Sequence, residues 1–304
     1  MGIKKKFKKT IFYDWLSPFF YKLLEKKCVR KGDALITKEK WKKRFGYNLD
    51  LENPRTLNEK IQWLKLNDRK DIYNIWADKY CCREYIKQTF GEQYLVPLLF
   101  VTDNPSQINE KNIKDFPCVI KANHTSGDYF LFRNGNKVNW FRVRTKCKRW
   151  LRCNYYHISQ EWQYSSMKRY ILVERMLLDK QGKIPNDYKL HFIEGQLAFV
   201  YCSIDREGDN YRQIYSPDWK LLNFSWDGNG MPLQQTKPIT KPATFQKMCE
   251  FGKIIAKNMH YVRVDFYDVD GVLYFGEITL YHGGGFDKFV PNEYDLFYGE
   301  MIKL

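Results

Sequence analysis

The chain has 304 residues, of which 44% are hydrophobic, 17% aromatic and 28% charged. That composition excludes a disordered chain, because it can bury enough apolar surface to offset the entropy of ordering. No apolar run approaches the roughly 18 residues of a membrane span, and no apolar stretch near the start is followed by a small-residue cleavage site, so a secretory leader is not expected. The net charge of +16 is unevenly spread: residues 1–31 hold ten Lys and Arg against Asp14 and Glu25, half of the whole excess. Eight cysteines are scattered without a CxxC pair, which points to a reducing, cytoplasmic setting.

Taken in chain order, residues 1–31 pair a lysine cluster with bulky side chains. Ile11, Trp15, Phe19 and Leu23 recur every four residues, as do Phe12, Leu16, Phe20 and Leu24. This spacing predicts an apolar helical stripe, with Ser17 capping a new helix at Pro18. Two readings stay open: a peripheral anchor on the anionic inner face of the cytoplasmic membrane, through residues 1–28, or a helix docked on the protein with solvated lysines. Residues 32–117 read as a helical region followed by the first strands. Thr56 with Glu59 three positions on marks a helix start, and a further amphipathic helix is expected near Ile75–Phe90, stopping at Gly91.

After Tyr94 short strand-like runs begin, LVPLLFV and CVIKANH. YFLFR, Asn134-Gly135 and NKV read as a hairpin, followed by a basic, aromatic helix from Trp140 to Tyr155. RYILVERML, YKLHFIEGQLAFVYC, YVRVDFYDV and VLYFGEITL read as strands, with one helix near Phe245–Met259. The class is α+β with a largely antiparallel second half, after a basic amphipathic segment 1–31 and the helical region with its first strands, 32–117.

YVRVDFYDVDGVLYFGEITL carries the most chemistry. A two-residue loop at Asp270-Gly271 is expected to leave Asp265 and Glu277 on opposite faces of the ribbon. A three-residue loop, Val269-Asp270-Gly271, instead pairs Arg263 with Glu277 and Asp265 with Phe275. Arg263, Asp265, Glu277 and Thr279 then line one face, and Val262, Val264, Phe266, Tyr274 and Ile278 the other, so this register is expected. Two carboxylates beside an arginine suit magnesium at a polyphosphate. Lys121 ends CVIK before the small polar loop NHTSGDY, where an ammonium and loop N–H groups can meet phosphates. Glu174 ends ILVE and Lys189 lies in DYKLHF.

That order of groups resembles the ATP-grasp superfamily. In detail the chain is similar to the TupA-like ATP-grasp family of bacterial surface-polysaccharide gene clusters. The carrying stretches include LNEKIQWLKLNDR, ADKYCCREYI, GEQYLVPLLFV, VIKANHTSG, EWQY, ILVERML, DYKLHF, YVRVDFYDVDGVLYFGEITLYHGGGFDKF and YDLFYGEMIKL, over roughly residues 54–304.

The resemblance implies an ATP-grasp fold: two α+β subdomains with largely antiparallel sheets, a small one at 118–177 and a C-terminal one at 178–304, gripping ATP after a helical N-terminal region. It makes Lys121 and Lys189 nucleotide-phosphate lysines. It makes His124, Thr125, Ser126 and Gly127 a loop over the phosphates, and Glu174 to Leu177 the adenine linker, with the Met176 backbone reading the base. Asp265 and Glu277 become Mg2+ ligands, Thr279 stands where many members have a third, Asn, and Arg263 faces the transferring phosphoryl group or the intermediate.

The function implied is an ADP-forming carboxylate–amine ligase working through an acyl-phosphate. Its substrates would be an amino acid or peptide and a uronic-acid-bearing surface glycan or its precursor. Two alternatives are a glycosyltransferase, given the DxD at Asp268 and Asp270, and a degenerate ATP-grasp scaffold. The basic surface carries no RNA- or DNA-binding motif, so nucleic acid is not an expected partner.

Overall fold

The computed structural model describes residues 11–136, 138–229 and 237–304. The lysine cluster of residues 4–9 therefore lies outside the described residues. Helices and strands follow in the order α1 (Ile11–Lys31), α2 (Asp33–Phe45), α3 (Leu57–Asn67), α4 (Ile72–Ala77), α5 (Cys81–Thr89), β1 (Leu98–Thr102), β2 (Cys118–Ala122), β3 (Tyr129–Phe132), α6 (Trp140–Arg152), α7 (Tyr156–Ser159) and β4 (Ile171–Arg175). The remainder is β5 (Asp187–Ile193), β6 (Gln196–Ile204), β7 (Tyr211–Tyr215), β8 (Leu221–Leu222), β9 (Ser225–Asp227), α8 (Phe245–Ala256), β10 (Tyr261–Val269), β11 (Val272–Thr279), β12 (Lys288–Val290) and α9 (Glu293–Glu300).

The chain forms two compact units. The first holds the described residues up to Ile36, Asp78–Arg83 and Val96–Met176; the second holds Thr37–Ala77, Glu84–Leu95 and Leu177–Leu304. The segment 32–117, expected as one region, is thus shared between them.

In the first unit, β1 to β4 make an antiparallel sheet in the order β1-β4-β2-β3. Ile120 and Ala122 of β2 and Ile171 and Val173 of β4 bury one face with Val143, Cys147 and Trp150 of α6. The alternation of period two along β2 puts Val119 and Lys121 on the opposite face, half-buried. Of the hairpin expected around Asn134-Gly135, Lys137 lies outside the described residues, and Asn136 and Val138 on either side of it belong to no strand. β3 pairs with β2 instead, and the turn leads to α6, whose start is capped by Asn139 accepting from the Arg142 amide at 2.9 Å. An Asn-Gly turn signal fixes where the chain reverses, not which strand it joins.

Helix α1 runs unbroken through Pro18, so Ser17 caps no new helix. Pro18 cannot donate to the carbonyl of Asp14 four residues back, and the buried Ser17 hydroxyl donates to that carbonyl instead, at 3.4 Å. The helix docks on α6 and α7 through Asp14, Ser17, Tyr21, Leu24 and Cys28, spaced three and four apart. The Arg149 guanidinium lies 3.2 Å from Asp14 Oδ1. The aromatic stripe faces the other way: Trp15 is 74% exposed, Phe19 63% and Leu23 50%.

The second unit is built on an antiparallel sheet in the order β11-β10-β5-β6-β7-β8. Val262, Val264 and Phe266 of β10 are buried on the face covered by α8. The expected start of α3 is present: Thr56 accepts from the Glu59 amide at 3.3 Å and Glu59 accepts from the Thr56 amide at 3.0 Å. The amphipathic stretch expected as one helix near Ile75–Phe90 is two, α4 and α5. The break falls at Asp78, whose carboxylate accepts from the Tyr80 and Cys81 amides.

Candidate functional site

The β10–β11 hairpin has a two-residue loop, because Val269 pairs with Val272. Asp270 and Gly271 both have positive φ, 52° and 85°, as a tight primed turn requires. The expected three-residue loop is therefore corrected, and so is its pairing. Asp265 stands opposite Glu277 and Arg263 opposite Thr279. Both carboxylates nevertheless share one face, because a bulge falls between Asp265 and Phe266. Phe266 pairs with Phe275 and Asp265 with Glu277, so Gly276 is the extra residue that shifts the phase of β11. A Cβ at Gly276 would lie 3.0 Å from the Asp265 carbonyl oxygen, which is why glycine stands there. One consequence is that Phe275 takes the place in the apolar face that Tyr274 was expected to fill.

Next to β10, strand β5 aligns Lys189 with Asp265 and His191 with Arg263. The polar face of the sheet thus carries a connected ionic group. Arg263 donates through Nε to Asp265 Oδ1 at 2.6 Å, and through Nη2 to Asp265 Oδ2 and Glu277 Oε1, each at 2.7 Å. Its Nη1 lies 2.8 Å from His282 Nδ1. The Lys189 ammonium donates to Asp265 Oδ2 at 2.8 Å and to Asp187.

Burial alone would drive the proton off Lys189, but the charges of Asp187 and Asp265 outweigh it and hold its pKa above the ordinary lysine value. Burial likewise opposes the Arg263 charge, and Asp265 and Glu277 more than compensate. Thr279 donates to Glu277 Oε1 at 3.3 Å. Asp265 is buried and fully engaged, whereas Glu277 keeps 32% of its side chain exposed.

Asp187, His191 and His282 were given no role from the sequence. The signal for two of them was present, since Asp187, Lys189 and His191 alternate along one strand face. His282 had none, because it reaches Arg263 from a glycine loop after β11. That loop is held by α3: Gln62 donates to the carbonyls of Gly284 and Gly285, and Lys65 to that of Gly284.

Hard cations such as Mg2+ take oxygen donors and complete their shell with phosphate and water, so one or two protein carboxylates suffice. Asp265 and Glu277 are two carboxylates placed opposite one another on neighbouring strands. Among the described residues no group of three or more His, Cys, Asp or Glu could hold a metal ion.

In the first unit, Lys121 Nζ lies 2.6 Å from Glu174 Oε2, and Arg83 Nη1 lies 3.4 Å from Glu174 Oε1. The loop after β2 is pinned at Asn123, whose side chain donates to Asp78 and to the Lys168 carbonyl and accepts from the Tyr170 amide. His124 turns inward. Its Nδ1 lies 3.1 Å from Asn123 Oδ1, and its Nε2 lies 3.0 Å from the Trp150 carbonyl. Its ring therefore secures the loop against α6.

The Thr125 carbonyl accepts from the Lys79 ammonium at 2.9 Å, while Ser126 and Gly127 are exposed. The Met176 amide donates to the Pro117 carbonyl at 3.0 Å, which leaves the carbonyl as its hydrogen-bonding group for a base. Arg83, Lys79 and Asn123 were missed. Arg83 is 91 residues from Glu174, and no local pattern announces such a pair. Of the two aspartates of the DxD sequence, Asp268 lies near the end of β10 and accepts from the Thr244 amide and hydroxyl and from the Gly271 amide, while Asp270 is a turn residue and accepts from the Lys180 amide.

No curated protein matches the chain. Among solved structures, it is similar to the ADP complex of PurK, an N5-carboxyaminoimidazole ribonucleotide synthetase. The identity is 15% and the TM-score 0.42, over 74% of this chain and 51% of that one. It is also similar to the D-alanine-D-alanine ligase of Helicobacter pylori, at 13% identity and TM-score 0.42, over 81% of this chain and 69% of that one. The chain thus spans about half the length of the first of these. A family model described as TupA-like ATPgrasp matches residues 59–303. That match takes in most of α3, the four-stranded and six-stranded sheets and the whole of the ionic face described above, so the chain belongs to the TupA-like ATP-grasp family, whose cofactors are ATP and Mg2+.

Proposed function

We propose that the protein is an ADP-forming carboxylate–amine ligase that joins an amino acid or peptide to a uronic-acid-bearing surface polysaccharide or its precursor. The observation that carries this reading is the ionic face of the larger sheet, where Asp187, Lys189, Arg263, Asp265 and Glu277 are in direct contact. Cationic side chains beside carboxylates that can hold Mg2+ suit phosphoryl transfer, in which most catalysis is positioning and charge stabilisation. The glycan side of the proposal is supported by the sequence resemblance to the family.

In this reading Glu277, the more exposed carboxylate, and Asp265 hold Mg2+, which neutralises phosphate charge when bound. Thr279 orients Glu277, Arg263 keeps the carboxylates in register, and Lys189 supplies positive charge to a phosphate. Lys121, Ser126, Gly127 and the backbone of Thr125 serve the nucleotide phosphates. Glu174 fixes Lys121, His124 secures the loop, and the Met176 and Leu177 backbone meets the base. The exposed stripe of α1, following a lysine cluster in sequence, supports attachment to the inner face of the cytoplasmic membrane. Among the described residues no helix is long and apolar enough to cross a membrane.

The reaction is tested by measuring ADP release with candidate amino acids and uronic acids. Release that requires both supports ligation, and sugar transfer from a UDP-sugar without ATP refutes it. Lys121→Ala is expected to weaken ATP binding roughly tenfold or more, as loss of a charge-assisted contact does. The fold should persist, because Glu174 keeps Arg83. Titration calorimetry showing unchanged affinity would remove Lys121 from the nucleotide site.

A further inference from the structure

On the face of α1 next to its aromatic stripe, a cleft of about 570 Å³ opens between that helix and the segments after α6. Its size lies within the roughly 300–1,000 Å³ typical of ligand sites, but its lining is basic. Lys22, Arg152 and Arg169 share the lining with one carboxylate, Glu25, and with uncharged residues that include Pro18, Tyr21, Leu24 and Asn154, beside His157. Glu25 is drawn to the rim of the set, with Oε1 3.5 Å from His157 Nε2. Neither Lys22 nor Arg152 makes an ion pair with any described carboxylate. Arg169 is held in place by donating to the Leu151 carbonyl at 2.9 Å. The His157 backbone is fixed by Gln160 and Cys28, and its buried ring Nδ1 has no hydrogen-bond partner among the described residues.

Two guanidinium groups and an ammonium around a cleft select a multiply charged oxyanion, since arginine forks match phosphate geometry. The surroundings select its source. Trp15, Phe19 and Leu23 stand exposed on the adjoining face of the same helix, and such a face inserts at the headgroup–acyl boundary of a bilayer. We propose that this cleft is a binding site for the terminal phosphate ester of an anionic membrane lipid, held while the aromatic stripe inserts beside it. The proposal rests on the membrane attachment stated above and adds to it a specific headgroup. The docked position of α1 makes both possible, because the helix binds the protein through Asp14, Ser17, Tyr21, Leu24 and Cys28 and leaves the stripe outward. Deleting residues 1–28 would strip this cover from α6, so substitutions are the proper test.

The full chain is sedimented with phosphatidylcholine vesicles that carry either phosphatidate, a phosphate monoester, or phosphatidylglycerol, a diester, at equal surface charge. The expected result is about tenfold tighter binding to phosphatidate. Lys22→Ala with Arg152→Ala should erase that preference and leave the weaker phosphatidylglycerol binding. Lys26→Ala with Arg30→Ala removes the same charge outside the cleft, and should weaken both vesicles alike while keeping the preference. Trp15→Ser with Phe19→Ser should lower binding to both vesicle types. No preference in the unaltered protein, or the two charge variants behaving alike, would overturn the cleft as a headgroup site. Absence of binding to either vesicle would refute membrane attachment itself. Calorimetric binding of free glycerol phosphate lost only in the Lys22/Arg152 variant would, in that case, overturn the lipid assignment in favour of a soluble phosphate ester.

Discussion

Arg263→Met should abolish turnover and cost roughly 3–5 kcal/mol of stability in the second unit, the range for breaking a buried ion pair on one side. The guanidinium makes three hydrogen bonds to Asp265 and Glu277 and a fourth contact to His282. A methionine of similar length fills the space but leaves Asp265 with only Lys189, and Glu277 with its Thr279 contact but no guanidinium. Urea unfolding and ADP release measured on the same preparation check both halves of this expectation. Arg263→Lys separates them, because it restores charge but not the fork, and should recover stability more than turnover. Normal stability with normal activity in Arg263→Met would show that the cluster is an ornament of the strand face.

Glu277→Gln should have the opposite balance. It removes one negative charge at nearly constant volume, and the amide oxygen can still accept from Arg263. Stability is expected to change by about 1 kcal/mol or less, since the side chain is partly exposed and the pair partly screened. Turnover should fall roughly a thousandfold, as loss of several kcal/mol of metal-assisted charge stabilisation implies. The concentration of Mg2+ needed for half-maximal residual activity should rise. Unfolding of this variant at ordinary temperature would instead assign Glu277 a purely structural role.

The separation of stability from turnover in these two variants follows from details only partly legible in the sequence. Local chemistry was readable: the Thr56–Glu59 capping box and the Asp270-Gly271 turn are each specified within a few residues, and each is present. The polar face of the hairpin was also foreseen, but through a register that the structure corrects. The bulge at Gly276 does what a longer loop was expected to do, and a glycine within a strand is a weak signal for it.

Long-range partners were not legible. Nothing near Glu174 announces Arg83, and nothing near Arg263 announces His282. At Pro18 the expectation of a helix break failed because a serine hydroxyl supplied the missing donor. At Asn134-Gly135 the turn was real, but the strand before it had found β2. The orientation of α1 depended on Asp14 meeting Arg149 across 135 positions, so its stripe could not be assigned to the inside or the outside from periodicity alone.

The central claim is that a substrate carboxylate is phosphorylated by ATP and then attacked by an amine. In that sequence a carboxylate oxygen takes the γ-phosphoryl group, ADP leaves, the amine nitrogen bonds to the carbonyl carbon, and phosphate departs carrying the carboxylate oxygen. The most direct measurement supplies a uronic acid labelled with 18O in its carboxyl group, together with ATP, Mg2+ and an amino acid, and analyses the inorganic phosphate by mass spectrometry. Each phosphate released should carry one 18O atom, with amide and ADP formed in equal amounts. Amide formed with unlabelled phosphate, or sugar transferred without ADP, would contradict the claim.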